Sequence, residues 1–236
     1  MKELVQLLKR CILFRDIPED MIQDKILPLG KLQEVPKDNY LIITQEKVDF
    51  FGVVVSGSIH SMHLFGDGSY SIIDAIGEAE IVGADLMWTS SRIAPYHAIA
   101  AMPSQVLFFP TSMLSQPGML PEEYRLQIIG KTLTLISHDN IRKEYRLAIL
   151  AQKGLRERIM TYLSMQAGKR RTNTFVIPFS REELASYLCV NRSALSHELS
   201  LMRQEGLISF RRNEFTLLRR EEIRIPSDLI LHDMET

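Results

Sequence analysis

Ser180-Arg181-Glu182-Glu183-Leu184-Ala185-Ser186-Tyr187-Leu188-Cys189-Val190-Asn191-Arg192-Ser193-Ala194-Leu195-Ser196-His197-Glu198-Leu199 is the stretch that decides how this chain folds. Ser180 and Glu183 stand at the spacing of a capping box, in which two side chains satisfy free amides at a helix start. Leu184, Ala185 and Leu188 give that helix an apolar face, and the small Ala185 lets a second helix cross close by. Val190 is placed to plug the turn, and Asn191 is a good N-cap for the next helix. There Leu195, Leu199 and Met202 face inward at i, i+4 and i+7. Arg192, Ser193, Ser196, His197 and Ser200 then share the opposite face. The pattern predicts a helix-turn-helix with short polar residues and one arginine at the exposed start of its second helix. That suits the DNA major groove, where a guanidinium forks onto a guanine edge. Gly206-Leu207-Ile208 closes the unit, and Phe210–Leu217 reads as a hairpin with a basic tip, a wing. The DNA-contacting residues expected are Ser180, Arg192, Ser193, Ser196, His197, Arg211 and Arg212. The rival reading is a plain helical hairpin with a solvated face; cap, small residue, plugged turn and wing in this order argue against it.

Charge points the same way. The 236 residues carry a net charge of −1, but residues 1–150 hold 14 Lys/Arg against 18 Asp/Glu, and residues 151–218 hold 11 against 6. A basic segment behind an acidic one suits a polyanionic partner such as double-stranded DNA.

Upstream, Pro121-Glu122-Glu123 is a reasonable helix start, with acids toward the positive end of the helix dipole. Leu126, Ile129, Leu133, Ile136, Asn140, Lys143, Leu147 and Leu150 follow at alternating steps of three and four, a heptad seam. An ordinary helix packed on its own domain is the alternative. The narrow stripe and the single Asn140 favour a homodimer seam, in which a polar residue meets its symmetric counterpart. The dimer-interface residues expected are Leu126, Ile129, Leu133, Ile136, Asn140 and Leu147. Lys153-Gly154 reads as a hinge, Leu155–Met165 as a helix and Gly168-Lys169-Arg170-Arg171 as a loop.

Residues 1–28 look helical, with Pro18 where a second helix starts. Between about residues 30 and 110 the texture is that of short strands: Leu41–Thr44, Phe50–Val55, Ser58–Phe65, Tyr70–Ile76, Ala98–Ala101 and Gln105–Phe109. Turn residues punctuate them, Gly66-Asp67-Gly68 among them, which argues for a small antiparallel barrel or sandwich.

With barrel, long helix and winged helix-turn-helix in this order, the chain resembles the bacterial cyclic-AMP receptor protein/fumarate–nitrate regulator (Crp/Fnr) superfamily of transcription regulators. Phe179–Ile208 is similar to the family's helix-turn-helix. Phe50–Gly57 (Phe-Phe-Gly-Val-Val-Val-Ser-Gly) looks like a strand of its barrel, and Ile76-Gly77-Glu78 and Ile81-Val82-Gly83 resemble the turns before its ligand cassette. The resemblance implies an α+β fold: an antiparallel β-roll, cupin-like and of cyclic-nucleotide-binding type, a dimerisation helix and a C-terminal winged helix-turn-helix. The domains expected are 1–120, 121–152 and 153–236. It places Arg192, Ser193 and His197 at base-reading positions, with His197 where arginine is usual and Cys189 where glycine is usual. It implies DNA, a second copy of the chain, an effector and RNA polymerase as partners; the two cysteines, far apart in sequence, suit a location in the reducing cytoplasm.

The cassette departs from cyclic-nucleotide binders. Gly83-Ala84-Asp85-Leu86 replaces their Gly-Glu, Tyr96-His97 stands where Arg-Ser/Thr is expected, and Arg92 comes several residues early. Without a placed arginine a cyclic phosphate is poorly matched, so cyclic AMP is not the expected effector. Gly83, Ala84, Trp88, Arg92, Tyr96, His97 and Asn140 are candidates for an effector pocket taking a small organic anion or aromatic molecule; a filled, merely structural barrel in a constitutive DNA-binding protein is the equal alternative. Two cysteines, Cys11 and Cys189, exclude a four-thiolate iron–sulfur site within one chain. His60 and His63 invite a haem or redox sensor, but in a regular strand they face opposite ways. No cofactor or metal is expected. No hydrolase, phosphate-loop or zincin motif occurs, so no enzyme is expected. No signal peptide and no apolar run of membrane-spanning length is read.

Overall fold

The computed structural model describes residues 2–218, so the end of the expected 153–236 segment lies outside the described residues. The chain divides into two compact units, Met1–Ser137 and His138–Thr236.

In the first unit, α1 (Lys2–Arg10) is followed by a short α2 (Glu19–Met21), which continues through π-helical and 3-10 turns to Leu29. Pro18 is the N-cap of α2, and the helical reading of residues 1–28 is interrupted by turns at Cys11–Ile17. Eight strands then form two antiparallel sheets: β1 (Lys31–Val35), β2 (Tyr40–Ile42), β3 (Phe50–Ser56), β4 (Ile59–Leu64), β5 (Tyr70–Ile76), β6 (Ile81–Val82), β7 (His97–Ala100) and β8 (Ser104–Pro110). Their orders are β1-β8-β3-β6 and β2-β7-β4-β5, a double-sheet roll.

Alternation along β3 and β8 sorts two cores. Phe51 pairs with Phe109 and Val53 with Leu107 on one face, where they bury Val5, Leu8, Phe14 and Ile17 of the N-terminal segment. Phe51 stacks on Phe109 at 5.4 Å, and Phe14 meets Phe109 at 5.6 Å. The other face carries Val54 and Val106, packed against Ile42, Ile59, Ala98 and Ala100 of the second sheet. A Cβ at Gly52 would come within 2.7 Å of Val106 and 2.9 Å of Val82, so this second core closes tightly over β3 only because that position is a glycine.

After a single turn, α3 (Ser112–Ser115), comes α4 (Glu122–Leu150), the 29-residue helix in which the two units divide. Its first half buries Ile128, Thr132 and Leu135. Lys131 pairs with Asp16, and Arg125 donates to the Leu114 carbonyl at 2.9 Å. Leu126, Leu133 and Leu147 lie outside these contacts at 54%, 65% and 60% exposure, and Asn140 is exposed with them. Ile129 and Ile136 are half-buried.

The second unit continues with α5 (Leu155–Arg170), β9 (Thr174–Val176), α6 (Arg181–Tyr187), α7 (Arg192–Gln204), β10 (Ile208–Arg211) and β11 (Glu214–Leu217). The sequence pattern predicts an end of α5 near Met165 and a loop at 168–171; the helix instead runs on to Arg170. Buried Ala167 anchors the last turn, Lys169 and Arg170 face the negative dipole end, and Arg171 caps it at φ +50°. The strand β9, also absent from the sequence expectation, pairs Phe175 with Phe215 and makes the hairpin three-stranded. Among the described residues no helix is long and apolar enough to cross a membrane.

Candidate nucleic-acid interface

The capping box forms: Ser180 Oγ accepts from the Glu183 amide at 3.3 Å, and Glu183 Oε2 accepts from the Ser180 amide at 2.7 Å. Helix α6 ends in a Schellman motif, with the Val190 amide on the Ala185 carbonyl (3.0 Å) and the Cys189 amide on that of Ser186 (3.1 Å). Leu188, fully buried, closes the turn, and Val190 stays half-exposed, which corrects the plug expected at Val190. Asn191 caps α7, its Oδ1 accepting from the Ala194 amide at 2.7 Å and from Ser193 Oγ at 2.9 Å. Ser193 is thereby committed to the cap and keeps only acceptor capacity for DNA.

Leu195, Leu199 and Met202 are fully buried, while Arg192, Ser193 and His197 are exposed and Ser196 is half-buried. A second Schellman motif ends α7, with Gly206 at φ +70° and the Leu207 amide on the Met202 carbonyl at 3.0 Å. In the wing, Arg211 pairs with Glu214 across the hairpin, and Arg212 sits in the turn at φ +55°. Both side chains are exposed.

Sequence reasoning misses Arg181. Its guanidinium lies 4.8 Å from the Phe210 ring and 5.4 Å from that of Phe215, and it donates to the Arg212 carbonyl at 3.3 Å. Arg203 covers Phe210 at 5.0 Å. These cation–π contacts fasten the wing to the helix-turn-helix. Burial lowers the Arg181 pKa from its usual high value. The signal in the sequence is an arginine just inside a cap with two aromatics in the following hairpin.

The effector candidates disperse. Gly83 takes φ +80° and opens the 3-10 turn Ala84–Leu86, with Ala84 buried. Tyr96, buried in the lumen core, donates its hydroxyl to Asp85 Oδ1 at 2.6 Å. Arg92 is drawn away from them: its Nη1 donates to Asp49 Oδ1 at 2.7 Å and Thr111 Oγ1 at 3.1 Å. Arg92, with Lys47, holds the Asp49 carboxyl below its ordinary pKa. His97 Nδ1 accepts from the Thr44 amide at 3.3 Å, and its ring meets Tyr40 edge-on at 5.3 Å. Trp88 Nε1 donates to Thr132 Oγ1 of α4 at 3.1 Å. Asn140 belongs to the second unit. His60 is buried and His63 exposed, and burial pushes the Cys11 thiol up to about 12.

Two family models match: a cyclic nucleotide-binding domain over residues 32–116 and a Crp-like helix-turn-helix domain over residues 157–224. The chain belongs to the Crp/Fnr superfamily. As a Crp/Fnr protein it is a DNA-binding transcription regulator with a cyclic-nucleotide-binding-like domain. No curated protein matches it. Solved structures share the fold. FixK2 of Bradyrhizobium japonicum is 20% identical, with 88% of this chain and 98% of that chain covered and a TM-score of 0.65. The c-di-GMP-responsive global regulator CLP of Xanthomonas campestris is 16% identical, over 84% and 98%, at 0.69. A CRP-family transcriptional regulator of Thermus thermophilus is 18% identical, over 79% and 92%, at 0.56.

One departure of this Crp/Fnr chain carries a stability prediction. Cys189 occupies the C′ position of α6 at φ +56°, where a side chain is strained. Cys189→Gly relieves that strain but gives the unfolded chain more conformational entropy to lose on folding. The expected net gain is roughly 0.5–1 kcal/mol, a rise of a few degrees in Tm. Thermal unfolding of the purified variant checks it; an unchanged or lower Tm contradicts it.

Proposed function

We propose that this Crp/Fnr regulator acts as a symmetric homodimer on a near-palindromic operator, with Arg192, Ser196 and His197 reading bases and Ser180, Arg211 and Arg212 holding phosphates. The observation that carries this is the split of α7: Leu195, Leu199 and Met202 fully buried, Arg192 and His197 exposed at its capped N-terminal end. The exposed Leu126, Leu133 and Leu147, spaced by sevens or multiples of seven with Asn140 between them, support dimerisation through α4. Two recognition helices related by a two-fold axis require half-sites about one helical turn apart.

The roll takes a small-molecule effector other than cyclic AMP. The Tyr96 hydroxyl and the Asp85 carboxylate form a polar pair beside the otherwise apolar core between the two sheets, and they are the handle such an effector would use. Ala84 is apolar and Arg92 is paired with Asp49, so a cyclic phosphate finds no fixed cation there. Effector binding shifts the population of two arrangements that differ at the hinge after Leu150. Cyclic AMP at 1 mM, or roughly a hundred times a dissociation constant of 10 μM, would add about 2.7 kcal/mol to a binding protein. The expected result here is a Tm unchanged to within about a degree, and a rise of several degrees contradicts this account of the cassette.

A further inference from the structure

Arg156 and Glu205 each sit at the wrong end of a helix. Arg156 is in the first turn of α5, where the dipole disfavours a cation, and Glu205 is the C-cap of α7, where it disfavours an anion. They meet. Arg156 Nη1 and Nη2 donate to Glu205 Oε2 and Oε1 at 2.7 and 2.9 Å, and Nε donates to Glu198 Oε1 at 2.7 Å. All three nitrogens of one guanidinium are thus committed to two carboxylates of the recognition helix, one mid-helix and one at its end. A planar fork with two acid partners fixes orientation as well as separation. Glu198 is the least exposed of the three side chains, at 19%, so solvent screens that contact less than an open surface pair.

Two residues on, Arg158 donates from Nε to the Gln152 carbonyl at 3.0 Å and from Nη1 to the Leu188 carbonyl at 3.3 Å. The start of α5 therefore grips the segment after α4, the turn of the helix-turn-helix and the recognition helix at once.

We infer that Arg156 is a positioning residue for DNA reading: it sets the orientation of α7 from α5 and does not touch DNA. The inference rests on α7 being the base-reading helix. One N–H on each guanidinium nitrogen, three of its five donors, is spent on Glu198 and Glu205, which turns its charge toward α7; its loss therefore changes where Arg192 and His197 point and leaves the number of phosphate contacts unchanged.

The test uses the full chain and a duplex selected by wild-type protein from a random-sequence pool. Arg156→Gln is expected to weaken binding to that duplex about tenfold, equivalent to about 1.4 kcal/mol, with binding to scrambled DNA changed less than about twofold. Arg156→Lys, which cannot fork onto both acids, falls between. Glu198→Gln with Glu205→Gln reproduces the loss, and adding Arg156→Gln to that pair costs nothing further, because the three act as one unit. The slope of log affinity against log salt stays as in wild type; losing one phosphate contact per protomer would lower it by about 0.9 per protomer. Hydrogen exchange of α7 amides in the DNA-free variant speeds up, an arm that decides the role of Arg156 even if wild-type protein selects no duplex and the reading of α7 fails. A lowered salt slope, additive losses, an equal loss on selected and scrambled DNA, or unchanged α7 exchange would each overturn the inference.

Discussion

Leu133→Lys with Leu147→Lys is expected to convert the protein to monomers that no longer bind a palindromic operator tightly. Both leucines are more than half exposed in the protomer, so replacing them removes no contact the single chain depends on. Across a two-fold axis each substitution acts twice. Burying a leucine fully gains about 1.5–3 kcal/mol, and about two-thirds of each side chain remains to be buried, so four leucines contribute about 4–8 kcal/mol. At about 1.4 kcal/mol per decade the dimer constant weakens by roughly three to six orders of magnitude. Sedimentation measures it, and the protomer's Tm serves as the control for folding. A variant that stays dimeric at micromolar concentration moves the interface off this helix. Ile136 is the poorer choice, because its half-burial mixes dimerisation with folding.

Arg192→Ala is the second large effect. The residue is the first of α7, exposed beside an N-cap formed by Asn191, and the proposed docking puts that helix end in the groove. A bidentate contact to guanine O6 and N7 is worth about 1–3 kcal/mol, and a dimer makes it twice, which gives about 2–6 kcal/mol if the halves add. The variant should also tolerate substitution at one base pair per half-site. Arg212→Ala in the wing should instead weaken binding to every sequence alike and flatten the salt dependence. Quantitative binding to selected and mutated duplexes separates the two. Equal losses on all sequences would make Arg192 a phosphate contact.

The helix-turn-helix is legible in the sequence because its signals are local. The Ser180–Glu183 box, the Asn191 cap, the inward Leu195-Leu199-Met202 row and Gly206 each act within a few residues of themselves. The roll is legible where strands alternate and carry turn glycines. It is not legible at β1, whose Lys31–Glu34 side chains are exposed and whose strand exists because β8 offers an edge, pairing Lys31 with Phe108. The two-residue β6 and the short β9 likewise owe their conformation to a partner strand. Long-range polar pairs are invisible for the same reason. Sequence alone places Arg92 in the cassette, but its partner Asp49 is 43 residues away. Arg156 meets acids 42 and 49 residues on, and no spacing rule points to either.

Whether an exposed, capped α7 reads sequence from a two-fold dimer is tested most directly by titrating wild-type protein against two duplexes at one stated salt concentration. One is a near-palindromic duplex selected by that protein, and the other is the same duplex scrambled. The expected result is two chains per selected duplex and a preference over scrambled DNA of about a thousandfold or more. Equal affinity for the two duplexes, or one chain per selected duplex, would contradict it.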